Sequence, residues 1–137
     1  PGLGRALGQI GNVNYRLGRW DQACEYHEKR LEIAQKILDL PGERRALANL
    51  ANANAGAGRI DKALYYYKKA LMLARQSNES EAEAQACWSM SAAYNLKGEY
   101  DLAIQYQRRH LEIARLLDDK MTKCVLPQPP LLSFFEL

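Results

Sequence analysis

The stretch Gly98-Glu99-Tyr100-Asp101-Leu102-Ala103-Ile104 decides the fold, because the same pattern occurs twice more along the chain. A glycine is followed by a bulky apolar residue two positions later, an aspartate at three and an alanine at five. The earlier copies begin at Gly58 and Gly18, so the spacing is 40 residues. Recurrence at one fixed spacing defines three repeats, residues 1–40, 41–80 and 81–118. When the three repeats are aligned, seven positions carry the same residue in every repeat. In the first repeat these residues are Ala6, Gly18, Asp21, Ala23, Tyr26, Leu31 and Ala34.

Each repeat divides at its glycine into two stretches that are predicted to be helical. In the second repeat, residues 42–57 are rich in alanine, and residues 61–76 carry apolar side chains at the spacing of one buried helical stripe. Gly58 has the backbone freedom to end the first helix, and Asp61 is predicted as the N-cap of the second. Two antiparallel helices per repeat follow.

The borders between repeats also carry helix-breaking and helix-starting residues. Pro41 and Gly42 are predicted to interrupt the chain between the first two repeats. Ser80 and Glu83 have the spacing of a capping box, which predicts the start of the third repeat.

Small and large residues alternate in a way that predicts close stacking of the hairpins. The small residues expected to let helices approach are Gly8, Gly11, Ala48, Ala51 and Ser91. The large residues expected to fill the gaps between layers are Trp20, Tyr26, Tyr66, Tyr100 and Tyr106. One hairpin cannot bury its apolar stripe alone, whereas stacked hairpins can. We therefore predict an all-α fold, a right-handed α-solenoid of three 40-residue helix-turn-helix repeats.

Residues 119–137 depart from the repeat and are predicted to form a proline-rich, apolar tail. Pro127, Pro129 and Pro130 would fall inside the first helix of a fourth repeat, where proline is not tolerated. The alternatives for this tail are a flexible end, a variant ending of the chain, or an extended segment that covers the last hairpin, enters the groove or drives self-association.

Length and composition exclude several classes of protein. The 137 residues are 47% hydrophobic and 26% charged, which is typical of one folded domain. The net charge of +3 is spread along the chain and does not indicate a nucleic-acid partner. No apolar run is long enough to insert into a membrane and no secretory signal is visible, so we expect a cytoplasmic protein. Because the chain begins with Pro1 rather than Met, we expect it to be part of a longer protein.

The residue types that usually carry chemistry do not form a reactive or metal-binding pattern. Cys24, Cys87 and Cys124 are widely spaced and predicted to be reduced thiols, and Cys24 and Cys87 fall in apolar columns. His27 and His110 have no partner at metal-ligand spacing. No nucleotide-binding or hydrolase motif is present. We expect no enzyme activity, no metal and no cofactor.

One face of the first helix of each repeat carries the candidate binding residues, because unit positions 5, 9, 12 and 16 share a helical face. These residues are Arg5, Gln9, Asn12, Arg16, Arg45, Asn49, Asn52, Gln85 and Ser89. Asparagine is a poor mid-helix residue, so its recurrence at Asn12 and Asn52 needs a reason. Amides can bind the backbone of an extended peptide, and arginine can bind a carboxylate through two hydrogen bonds. The alternative is an ordinary solvated or inter-repeat role. For Asn14 and Asn54 we favour a packing role, because the third repeat has Tyr94 in that column.

The combination of Gly-x-aromatic-Asp-x-Ala with a helix ending in Leu-Glu-Ile-Ala resembles tetratricopeptide repeats over residues 1 to about 118. The 40-residue unit and the segments Tyr66–Gln76 and Glu83–Met90 are similar to the LGN/Pins family of G-protein-signalling modulators. That family places Arg or Gln seven residues before Asn on its concave wall, which Arg5 with Asn12 and Arg45 with Asn52 match; Gln85 is followed by Ala92 instead.

The resemblance implies a scaffold whose concave face holds an extended, acidic segment of a cell-polarity or spindle-orientation partner, in the cytoplasm or at the cell cortex. The GoLoco motifs of that family are absent from this chain. The alternatives are a structural spacer within a larger solenoid and a part of a Tonsoku-like repair scaffold, since other 40-residue arrays share much of the pattern.

Overall fold

A computed structural model describes residues 2–125, with side chains described for residues 2–121. These residues form helices and the turns between them, and contain no strand. The helices are α1 (Gly2–Arg16), α2 (Trp20–Lys36), α3 (Leu40–Gly56), α4 (Ile60–Gln76), α5 (Ser80–Lys97) and α6 (Tyr100–Val125). None of the helices among residues 2–125 is long and apolar enough to span a bilayer.

Each helix packs against the helices that precede and follow it in the chain, which confirms the predicted stack of helical hairpins. The largest side chains that are almost completely buried are Leu50 and Met90, on the first helices of the second and third repeats. The apolar core cluster joins α3, α4 and α5, and its members are Ala51, Ala63, Leu64, Tyr67, Leu71, Ala86, Cys87, Met90, Ala93 and Tyr94. The fold is thus the all-α solenoid that the 40-residue recurrence predicts.

The turns inside the repeats use glycine as predicted, but the second helices start earlier than predicted. Gly18, Gly58 and Gly98 have φ values of 74°, 83° and 83°, in the left-handed region that favours glycine. The N-cap of α4 is Arg59, which makes no side-chain cap, and Asp61 lies in the first turn. The prediction of Asp61 as the cap was therefore wrong. Its carboxylate instead lies where it can interact favourably with the positive end of the helix.

The starts of α3 and α5 also differ from the predictions. Asp39 caps α3, because its Oδ1 accepts a hydrogen bond from the Gly42 N–H at 3.0 Å. Pro41 lies in the first turn of α3, where proline needs no hydrogen-bond partner, so it does not interrupt the chain. The N-cap of α5 is Glu79 without a side-chain cap, and Glu83 binds two arginines instead. The predicted capping box is therefore wrong.

The packing role of Gly8 and Gly11 on the first helix is confirmed, whereas one of the large residues is not buried. A Cβ added to Gly11 would lie 2.7 Å from the ring of His27, so only glycine fits there without movement. Trp20, Tyr26, Tyr66 and Tyr106 are partly buried. Tyr100 is 62% exposed, contrary to prediction, because no helix among the described residues covers that side of α6.

The last helix passes through residue 118 without a break and continues to Val125. The predicted tail therefore begins in helical structure. The prolines of the tail and the apolar residues after them lie outside the described residues.

Candidate functional site

A groove of about 430 Å³ crosses the first helices of all three repeats, and we call this surface the first-helix groove. Its floor includes two residues of α4, and its walls come from α1, α3 and α5. The lining residues are Tyr15, Arg44, Ala48, Asn52, Tyr67, Ala70, Ala82, Gln85, Ala86, Trp88 and Ser89. Three of the predicted binding residues, Asn52, Gln85 and Ser89, are brought together here.

Asn52 is half-buried, and its orientation is fixed from the floor of the groove. The Tyr67 hydroxyl donates a hydrogen bond of 2.5 Å to the Asn52 side-chain oxygen. Burial raises the pKa of Tyr67 to about 12, so the hydroxyl keeps its proton and remains a donor. The side-chain oxygen of Asn52 thus accepts one hydrogen bond from within the protein, and its amide nitrogen can donate to a ligand.

Three more of the predicted residues extend the groove beyond Tyr15. Asn12, Arg16 and Asn49 line a cavity of about 220 Å³, which shares Tyr15 and Asn52 with the first-helix groove. Asn12 and Arg16 are exposed, and Asn49 is half-buried. These three residues of the predicted polar face are therefore contiguous with the first-helix groove across α1 and α3.

The two predicted arginines at unit position 5 lie at the other end of this face. Arg5 and Arg45 line a cavity of about 170 Å³. Arg45 and Gln85 also line an open depression of about 470 Å³. Gln9 is exposed on α1 but does not line any of these cavities.

Trp88, Tyr15 and Arg44 are among the side chains of the groove that sequence reasoning missed. Trp88 is 57% exposed, an unusual position for so large an apolar surface. It lies three residues after Gln85, so helical spacing could have placed it on the same face. Tyr15 is 38% exposed and packs edge-on against Trp20. Arg44 of α3 forms an ion pair with Glu79, the N-cap of α5, at 2.9 Å, a contact that no spacing within one helix could indicate.

The asparagines of unit position 14 have the packing role that was predicted for them. Asn54 is 1% exposed, donates to the Leu50 carbonyl at 2.8 Å and accepts from Arg59 at 2.7 Å. Asn14 donates to the Ile10 carbonyl at 2.9 Å. Their side chains satisfy local hydrogen bonds and are not available in the groove.

Cys24, Cys87 and His27 have structural surroundings, whereas the side chain of Cys124 lies outside the described residues. Cys87 is fully buried, and burial raises the pKa of its thiol. Cys24 is half-buried beside Arg59, and both thiols are free. His27 is 1% exposed, and its Nδ1 has no hydrogen-bond partner. Within residues 2–121, no group of three side chains is arranged to hold a metal ion.

Comparison with protein families gives two matches, both described as tetratricopeptide repeat. One model covers residues 2–76 and the other covers residues 84–115. Among curated proteins, no sequence matches the chain.

Solved structures of helical repeat proteins are similar to this chain at low sequence identity. The TPR domain of Arabidopsis FLU is 21% identical, with a TM-score of 0.77 over 84% of this chain and 95% of that one. Aspartyl phosphate phosphatase F from Bacillus subtilis is 18% identical, with a TM-score of 0.81 over 85% of this chain and 30% of that one. The N-terminal domain of stress-induced protein-1 from C. elegans is 18% identical, with a TM-score of 0.68 over 85% and 92%. At these identities the likeness extends to the fold alone.

Proposed function

Because the chain belongs to the tetratricopeptide repeat family, we propose that it is a non-catalytic scaffold that binds an extended, acidic segment of a partner protein in the first-helix groove. The observation that carries this proposal is the convergence of Asn52, Gln85, Ser89 and Trp88, from two repeats, on one groove. An aromatic side chain can anchor an apolar residue of the partner, while amides and a hydroxyl bind its backbone.

The charge in the cavities beside the first-helix groove supports an acidic partner. Arg5, Arg16 and Arg45 are exposed on the first helices. No described carboxylate is ion-paired with any of the three. Arginines placed in this way attract acidic segments and can bind carboxylates with two parallel hydrogen bonds.

The more specific assignment to LGN/Pins-like adaptors of cell polarity and spindle orientation is part of the proposal. It is supported by the sequence match of Arg5 with Asn12 and of Arg45 with Asn52. Such an adaptor would act in the cytoplasm or at the cell cortex.

The test is the affinity of the protein for peptide libraries that differ only in charge. One fluorescent library has glutamate fixed at alternate positions, and the other has glutamine there. We expect the glutamate library to bind more tightly in fluorescence anisotropy at constant ionic strength. The double substitution Arg45→Ala/Asn52→Ala should weaken its binding by roughly tenfold or more, since it removes charge-assisted hydrogen bonds.

The matched control is Gln105→Ala/Arg108→Ala, which removes the same charge and an amide from exposed positions of α6. This control should bind like the unaltered protein. Equal loss of affinity in both double variants, or no binding of either library, would contradict the proposal.

A spacer within a longer solenoid is a second candidate, and the outer face of α1 favours it. Ile10 and Val13 are 43% and 55% exposed, whereas Leu50 and Ala53, their equivalents in the second repeat, are 0% exposed because α2 covers them. A preceding repeat would cover Ile10 and Val13 in the same way. In that case, alanine at Arg45 and Asn52 would change only the stability of the protein.

A further inference from the structure

Three arginine side chains meet in one small cavity at the junction of the first two repeats. The cavity of about 170 Å³ is lined by Arg5 of α1, Arg30 of α2 and Arg45 of α3, together with Asp39. Arg30 was not among the predicted binding residues, because it lies on a second helix. We call these three residues the arginine cluster.

Arg30 reaches the first helices because Gly8 has no side chain. A Cβ added at Gly8 would lie 2.5 Å from Nη1 of Arg30 and 2.9 Å from its Cδ. The guanidinium group therefore lies against the backbone of α1, where any other residue would displace it. This contact places a half-buried arginine beside the two exposed arginines that were predicted to bind the partner.

The charges in the cavity are not balanced. Three guanidinium groups face one carboxylate, Asp39, whose Oδ1 already accepts the Gly42 N–H at 3.0 Å. Burial lowers the pKa of Arg30, and the charges of Arg45 and Arg5 lower it further, whereas the carboxylate of Asp39 acts in the opposite direction. Bringing like charges together opposes folding, so the cluster is not explained by stability.

The second junction between repeats lacks an arginine cluster. The repeats can therefore stack without one. Ala70 and Gln85 occupy the columns of Arg30 and Arg45 there. Glu79 takes the column of Asp39, and it is neutralised by Arg44 at 2.9 Å. Two junctions with the same backbone thus differ by their arginines.

We propose that the arginine cluster binds the phosphoryl group of a phosphorylated residue in the partner segment. The proposal rests on the function proposed above and adds the chemistry of one partner residue. A phosphate monoester carries a charge of about −1.5 to −2 at neutral pH, which matches the excess of two positive charges, whereas a carboxylate would balance only one. Its oxygens can accept hydrogen bonds from several guanidinium groups at once.

The test compares three fluorescent peptide libraries with identical acidic flanks and a fixed central phosphoserine, glutamate or serine. We expect the unaltered protein to bind the phosphoserine library about tenfold more tightly than the glutamate library in anisotropy at constant ionic strength. Arg30→Gln should bring the ratio of the two affinities close to one. Gly8→Ala should also reduce the ratio, because it displaces Arg30 while leaving every charge in place.

Arg108→Gln is the matched control, since it removes one exposed charge from α6 and should leave the ratio unchanged. Circular dichroism identifies any variant that fails to fold, and Gly8→Ala and Arg30→Gln serve as independent checks. Equal affinities for phosphoserine and glutamate would overturn the cluster proposal while leaving the scaffold function intact. Vesicles containing phosphoinositides that bind in an Arg30-dependent manner, without any preference for phosphoserine, would also overturn it. Failure of all three libraries to bind would overturn both proposals.

Discussion

Two asparagine columns that look alike in the sequence have different roles in the structure. Asn54 is buried and uses both ends of its amide in local hydrogen bonds. Asn52 lies two residues earlier, and its amide lines the groove. The sequence could separate the two columns, because Tyr94 replaces the asparagine of the packing column in the third repeat. The position of the Asn52 side chain over Tyr67 could not be predicted, since that contact joins two helices.

His27 should make the stability of the protein depend on pH. Burial, together with the charge of Arg30, lowers the pKa of His27 to about 4 from its ordinary value of 6.5. The unfolded chain therefore binds the proton more readily than the folded one between these values. The contribution of the neutral histidine to stability is therefore fully present above pH 6.5. We expect the free energy of unfolding to fall by roughly 3 kcal/mol as the pH is lowered from 6.5 to 4.

The measurement is urea unfolding at several pH values, for the unaltered protein and for His27→Gln. Glutamine is the residue that the third repeat has in this column, at Gln107. The difference between the two curves isolates the histidine from carboxylates that titrate in the same range. Parallel curves from pH 7 to pH 4 would contradict the prediction.

At the scale of helices and turns, glycine residues indicated where the left-handed turns lie, but other residues did not. The left-handed turns at Gly18, Gly58 and Gly98 were predictable, because few other residues adopt positive φ. The turns between repeats are left-handed as well, at Leu38 and Asn78, with φ values of 56° and 54°. Leucine gives no local indication of such a turn, so the border was predicted from the proline and glycine that follow it.

Leu38 is expected to destabilise its turn, because a leucine with positive φ is sterically unfavourable by about 1 kcal/mol. The side chain is 83% exposed, so its removal loses little packing. Leu38→Asn should therefore raise the free energy of unfolding by up to about 1 kcal/mol, since asparagine tolerates this conformation and occupies the same column at Asn78. Chemical denaturation measures the change.

The control for this prediction is the neighbouring residue Ile37, which is 53% exposed and has an ordinary φ of −94°. Ile37→Asn should give no gain in stability. A gain of the same size at both positions would mean that removal of exposed apolar surface, and not backbone strain, is responsible.

Glu83 joins three helices and should be important for their stacking. Its carboxylate accepts hydrogen bonds from Arg75 of α4 and Arg109 of α6, both at 3.0 Å. Burial opposes its ionisation, but the two arginines outweigh burial and hold the pKa of Glu83 below its usual value. Since the arginines are partly exposed, we expect Glu83→Gln to lower the free energy of unfolding by about 1–2 kcal/mol.

Glu81→Gln is the matched control, because Glu81 is exposed in the same turn of α5. It should change the stability by less than about 0.5 kcal/mol. Equal effects of the two substitutions in thermal or urea unfolding would show that Glu83 contributes no more than surface charge.

At the scale of the whole molecule, the sequence predicted the number of hairpins and the face that carries the groove. The recurrence of 40 residues is sufficient for this, because each hairpin packs mainly against its neighbours in the chain. The detailed walls of the groove were less predictable. Arg44 and Arg30 enter their cavities through contacts outside their own helices, with Glu79 and across Gly8, and such contacts leave no periodic signal within one helix.

The central claim is that a partner segment binds along the first helices. The most direct measurement is the change in backbone amide NMR shifts when the tightest-binding peptide of the acidic library is added to the protein. The account predicts that the largest changes occur in α1, α3 and α5, around Asn52, Gln85 and Trp88. Changes confined to the exposed faces of α2, α4 and α6 would contradict it.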